Sequence, residues 1–240
     1  MQNHQYDPLY LFIDGHWIEA GDRDTVAVIN PVTEATLGRL PLATAADLER
    51  ALSATRSGFD VWRHTVPAER ARIMKNAATL MRERAEHIAS LMTLEEGKPR
   101  LKAATKYCVP PTILNGLWRK PAALMDALYR RIAPVYCNWS KKSPSARLPP
   151  FTPWNFPAIT PARKLSAALA AGCSVILKPG EESPATALAL ARCLDDAGLP
   201  KGVLQIVFGV PDQVSATLIA SPGYSQSGIH RFCTGRSTAF

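Results

Sequence analysis

Two short runs hold the residues best suited to chemistry. Residues 151–157 read FTPWNFP, and residues 178–181 read KPGE. Lys178 and Glu181 follow an apolar stretch, 174–177, that reads as a short buried strand. A nucleotide in an open α/β sheet binds beyond the carboxyl ends of the strands. Taken alone, the pair reads as a surface ion pair at a strand end. Asn155 carries a neutral amide donor, the kind of group that stabilises charge developing on an oxygen. Its ordinary role beside prolines is a turn. Trp154 alone reads as core, and Gly209 as a turn glycine. The five cysteines, Cys108, Cys137, Cys173, Cys193 and Cys233, show no metal-ligand spacing. An odd, scattered set of thiols points to a reducing cytoplasm. The usual dinucleotide fingerprint, G-x-G-x-x-G, is missing.

The surrounding pattern says which elements must carry these residues. Asp14-Gly15 between Leu11-Phe12-Ile13 and Trp17-Ile18 predicts a hairpin, because both central positions of its turn need positive φ. Asn30-Pro31 marks a turn after a strand at 26–29. Thr44 with Asp47 resembles a capping box that opens a helix toward Trp62. Pro67 suits a first helical turn. After it Ile73, Ala77, Leu80, Met81, Ile88, Leu91 and Met92 recur at helical spacing, until Gly97-Lys98-Pro99 stops the run. Thr160 and Pro161 read as N-cap and N1 of a helix ending at Gly172. Ser183 and Pro184 play the same parts for a helix ended by Gly198 and Pro200. Residues 203–208 form a second strand, and 212–220 a further helix. Strand, helix and strand in alternation imply a parallel sheet with right-handed crossovers. The expected fold is α/β, an incomplete Rossmann-like parallel sheet preceded by a hairpin and helices.

Together, FTPWNFP and KPGE resemble the aldehyde dehydrogenase superfamily. FIDGHWI, INPVTEATLG, LMTLEEGKP and AGLPKGVLQIVFG carry the resemblance further, over residues 9–107 and 151–222. Residues 11–100 are most similar to the succinate-semialdehyde branch. The resemblance implies oxidation of an aldehyde, with NAD(P)+ and water, to a carboxylate and NAD(P)H. It assigns Lys178 and Glu181 to the adenosine ribose hydroxyls, with Pro179 and Gly180 in the same cofactor-binding loop. Phe151, Thr152, Pro153 and Trp154 would line the nicotinamide side of the cleft. Gly209 would let the cofactor approach the backbone, and the Asn155 amide would help stabilise the oxyanion. A carboxylate at position 181 accepts hydrogen bonds from a 2′-hydroxyl and repels a 2′-phosphate. The expected cofactor is therefore NAD, with NADP as the alternative. The resemblance covers the front half of such an enzyme. Its nucleophilic cysteine and general-base glutamate would lie past residue 240, and none of the five cysteines stands in the nucleophile motif.

Two segments break the pattern. The net charge of +8 arises from residues 108–150, with seven basic and one acidic residue, and 223–240, with two and none. The first segment also holds seven of the 20 prolines. Read one base earlier, 143–150 can encode (K/E)PVGPVAA, which the family places directly before FTPWNFP. Read one base later, 223–240 can encode VIRKV and then FTGSVPVGRQL, the family's glycine-rich turn. Both segments are expected to be out-of-frame translation. In-frame coding DNA with no second frame restoring these motifs would remove that reading. The expected organisation is 1–107 as N-terminal strands and helices, 108–150 as an anomalous and disordered segment, 151–222 as the cofactor-binding βαβ region, and 223–240 as an anomalous tail, with the catalytic domain missing.

Three functions compete at this stage. The first is an aldehyde-oxidising enzyme acting on a small aldehyde, homo-oligomeric as the family is, and represented here by a part. The second is a non-catalytic remnant that binds nucleotide or assembles with a full-length relative. Nucleic-acid binding ranks third, because the basic segments lack aromatic interleaving, recognition-helix spacing and zinc ligands. No apolar run is long enough to span a bilayer, so no membrane role is expected.

Overall fold

A computed structural model of the chain describes residues 6–99 and 150–221. The anomalous segments fall outside them, apart from Pro150. The hairpin forms as expected. Strands β1 (Leu11–Ile13) and β2 (His16–Ile18) pair antiparallel around Asp14 and Gly15, whose φ angles are 55° and 70°. Strands β3 (Thr25–Ile29) and β4 (Thr36–Pro41) make a second antiparallel pair. Asn30 turns the chain between them, its side-chain oxygen accepting from the Val32 N–H at 2.9 Å.

Helix α1 (Ala45–His64) opens on the expected capping box. Thr44 accepts from the Asp47 N–H at 3.2 Å, and Asp47 accepts from the Thr44 N–H at 3.0 Å. Its buried face includes Leu48, Ala51, Leu52, Thr55 and Trp62. The long periodic run that follows is two helices, α2 (Pro67–Glu83) and α3 (Ala85–Glu96), broken at Arg84. The apolar period continues across the break because both helices pack on the same partner, so hydrophobic spacing alone did not reveal it. Gly97, with φ of 67°, ends α3 in the left-handed region.

Helix α4 (Ile159–Ala171) begins before the expected cap. Thr160 lies inside it and donates its N–H to the Phe156 carbonyl at 3.1 Å. The turn upstream supplies that acceptor, so no hydroxyl cap is used, and Gly172 ends the helix as expected. Next come β5 (Val175–Leu177), α5 (Pro184–Asp196), β6 (Leu204–Ile206) and α6 (Pro211–Ala220).

Strands β5 and β6 pair parallel, as the alternation implied. The sheet then continues β6-β1-β2, because Phe12 pairs antiparallel with Ile206. The N-terminal hairpin thus extends the β5-β6 sheet on the β6 side, a docking that no local signal announced. On the other side, Phe151 bridges parallel to Lys178. Helix α1 packs on β1, β5 and β6, while α2 packs on α4 and α5. Trp62 is fully buried where these layers meet, its indole N–H donating to the Leu169 carbonyl at 2.9 Å. Burying an indole of this size is worth about 3 kcal/mol.

Candidate cofactor site

Both signature runs lie at the carboxyl end of β5. The Thr152 N–H donates to the Lys178 carbonyl at 3.0 Å, and the Lys178 N–H to the Pro150 carbonyl at 3.1 Å. These bonds hold the start of FTPWNFP against the start of KPGE. The second contact is steric. A Cβ on Gly180 would lie 3.1 Å from the Trp154 nitrogen and 3.2 Å from its Cα. Glycine at 180 therefore lets the two loops touch. Ser183 adds a third link, its hydroxyl donating to the Trp154 carbonyl at 3.3 Å.

Lys178 is only 6% exposed, and its ammonium lies 2.6 Å from Glu181 Oε1 and 2.8 Å from Oε2. The same carboxylate accepts the Gly209 N–H at 3.3 Å. Lys178, Glu181 and Gly209 thus converge from the ends of two parallel strands. Gly209 has a packing reason as well, since a Cβ there would meet Val214 Cγ2 at 2.9 Å. Pro179 lies buried between Lys178 and Gly180.

Within the other run, Thr152 is 5% exposed and its hydroxyl oxygen has no hydrogen-bond partner among the described residues. Phe151 is half-buried against the core, and its carbonyl accepts from the Lys164 ammonium. Burial pushes the Lys164 amine below its ordinary range. Pro153, Trp154, Asn155 and Phe156 are exposed. Trp154 is 54% exposed, and the turn points its ring outward.

Three residues at the end of α3 were not expected to matter. Glu95 is buried, yet its carboxylate accepts from the Ala185 N–H at 2.7 Å, the Thr186 N–H at 3.1 Å and the Thr186 hydroxyl at 2.6 Å. The Tyr6 hydroxyl donates to it at 2.7 Å. This carboxylate does the capping expected of Ser183, which makes no side-chain cap bond to α5. Burial pushes the Glu95 carboxyl up to about 7, opposed by these donors. Lys98 lies 2.6 Å from Glu96 Oε2 and donates to the Asn155 carbonyl at 2.8 Å. Burial also raises the Glu96 carboxyl, and Lys98 pulls it down. The available signal was the pair of adjacent acids closing an apolar helix in LMTLEEGKP.

Comparison with known proteins rests on this geometry. Residues 17–226 match the model of the aldehyde dehydrogenase family. The chain belongs to that family. It is 38% identical over 216 residues to 4-(hydroxymethyl)benzenesulfonate dehydrogenase of Comamonas testosteroni, covering 88% of this chain and 44% of that one. Among solved structures it resembles succinate-semialdehyde dehydrogenase from Burkholderia pseudomallei, with a TM-score of 0.81 and 30% identity, over 93% of this chain and 46% of that one. It also resembles an indole-3-acetaldehyde dehydrogenase solved with NAD+, with a TM-score of 0.78 and 31% identity, over 90% of this chain and 44% of that one. The chain spans less than half the length of these relatives. Its aldehyde dehydrogenase fold is the mixed α/β arrangement described above.

Two further features bear on chemistry. Cys173 and Cys193 are buried, and burial pushes the Cys193 thiol up to about 11, away from nucleophilic thiolate character. A surface cleft of about 330 Å³ is lined in part by Asp7, Trp17, His87 and Arg192. The signature residues do not line it, so its size does not make it the cofactor site. Among the described residues no helix is long and apolar enough to cross a membrane, and no cluster of acids, histidines and cysteines could hold a metal.

Proposed function

We propose that this chain grips a nicotinamide dinucleotide for an enzyme that oxidises an aldehyde to a carboxylate in the cytoplasm. The observation that carries the reading is the direct contact between the KPGE strand end and the FTPWN turn. The residues fit such a ligand. Lys178 and Glu181 present a donor and an acceptor side by side at a strand tip, as ribose hydroxyls require. Thr152 holds a buried hydroxyl without a partner among the described residues, one residue from the bridge to Lys178. The exposed Asn155 amide would face charge that develops on the substrate oxygen. When bound, the nicotinamide supplies the hydride acceptor.

The Glu181 carboxylate favours NAD over NADP, because a 2′-phosphate beside it meets like charge. Calorimetric titration of the purified chain tests this. NAD+ is expected to bind on the order of ten-fold more tightly than NADP+, with Glu181→Gln narrowing the gap. Equal affinities in both proteins would overturn the preference, and unchanged NAD+ affinity in Lys178→Ala would overturn the site.

A second reading is favoured by the thiols: this chain binds nucleotide without catalysing. Aldehyde oxidation in this chemistry needs a thiolate to form the hemithioacetal before hydride leaves. Neither described cysteine is exposed. Absorbance of NADH, followed when purified chain is given NAD+ and an aldehyde, separates the readings. Sustained production would exclude the non-catalytic one.

A further inference from the structure

We infer that Lys98, anchored by Glu96, is a positioning residue that holds the Asn155 turn at its distance from the KPGE loop. The inference rests on the nucleotide reading above. Residues 153–156 are exposed, and an exposed turn containing two aromatic rings needs something to hold it. The Lys98 ammonium donates to the Asn155 carbonyl at 2.8 Å and lies 5.2 Å from the centre of the Phe156 ring. Its other partner is buried. The Glu96 side chain is 2% exposed and sits 2.6 Å from the same ammonium. A buried carboxylate needs a cation beside it, so Lys98 is pinned and the turn is pinned through it.

The neighbouring residue fastens the opposite wall. Glu95 caps α5, the helix that leaves the KPGE loop, through Ala185 and Thr186. The end of α3 and the residue just past its stop therefore reach both halves of the site. Ser183 and Gly180 close the loop by touching the Trp154 backbone from the other side. The spacing between the walls is set from the end of α3, through Lys98 on one side and Glu95 on the other. Charge-assisted bonds of this type carry more than neutral ones, which suits a lysine better than a neutral donor here.

The test separates the two halves of the cofactor. The purified chain is titrated calorimetrically with AMP, which needs only the Lys178–Glu181 end, and with NAD+, which also needs the Asn155 turn. Lys98→Met is expected to leave AMP affinity unchanged and to weaken NAD+ on the order of ten-fold. Lys98→Arg is expected to recover most of that loss. Glu96→Gln, which keeps the shape of the anchor, should weaken NAD+ by a smaller factor. Unchanged NAD+ affinity in Lys98→Met would overturn the inference. So would parallel loss of AMP and NAD+, which a general structural defect produces. A wild-type chain that binds NAD+ no better than AMP would remove it while leaving the nucleotide reading intact. Failure of the wild type to bind AMP would instead remove the nucleotide reading, and this inference with it.

Discussion

Helices α1 and α5 both begin with a carboxylate beneath their first turn, but the two acids come from different distances. Asp47 lies within α1 and three residues from Thr44, so its box closes inside one segment of chain. Glu95 reaches α5 from 90 residues away. Asp47 is also paired in bidentate fashion with Arg23, at 2.8 and 2.9 Å. Glu95 has only neutral donors around it in the described structure. The difference teaches that a local cap stabilises one helix, while a remote cap also docks that helix onto another. It also separates the two acids electrostatically. Arg23, more than any other neighbour, holds the Asp47 carboxyl down to about 2. Desolvation dominates at Glu95 and lifts it to about 7.

The largest effect that would break this comparison is expected from Glu95→Ala. Two buried backbone N–H groups and the Thr186 hydroxyl would lose their acceptor, and α5 would lose its hydrogen-bonded tie to α3. A loss of about 3 kcal/mol or more in urea unfolding is expected. A change under about 1 kcal/mol would mean the remote cap does no more than a local one.

Asp47→Ala is expected to cost less, about 1–2 kcal/mol, because water reaches the exposed part of the Arg23 pair and the first turn. Urea unfolding again measures it. A loss larger than that of Glu95→Ala would reverse the order argued here.

The smallest effect concerns pH, and the two acids act with opposite sign. A carboxyl raised in the folded state keeps its proton more readily when folded. Its stabilisation is complete below the unfolded value of 4.5 and is lost as pH rises through about 7. Asp47 is lowered, so its stabilisation is present above 3.8 and is lost as pH falls through about 2. Thermal melts between pH 5 and 8 should therefore show a drop of a few degrees as pH rises, flattened in Glu95→Gln. Melts that rise over the same window would contradict the Glu95 assignment.

Much of the site was legible because its signals are short. Thr44 and Asp47, Asp14 and Gly15, and the pair Lys178 and Glu181 each act within three residues. The strand tip and the FTPWNFP turn could be named from their residues, and the structure brings them together. Trp154, which on residue type alone reads as core, stands exposed, because nothing local says which way a turn faces. Ser183 was misread as a side-chain cap because its competitor, Glu95, is invisible from position 183. The Arg84 break was hidden because the apolar period runs across it.

By itself, the sequence determined the family through its motifs and, through local signals, the hairpin, the capping box of α1 and the alternation of strand and helix after Gly172. These follow from spacing and residue type, which act over a few bonds. The tertiary structure alone decided that the hairpin edges the sheet through Phe12 and Ile206, that Glu95 caps a helix it does not belong to, and that Lys98 meets Asn155. Those contacts depend on where packed layers come to rest. Burial sets that position by summing over the whole core, and no single stretch of chain contains the sum.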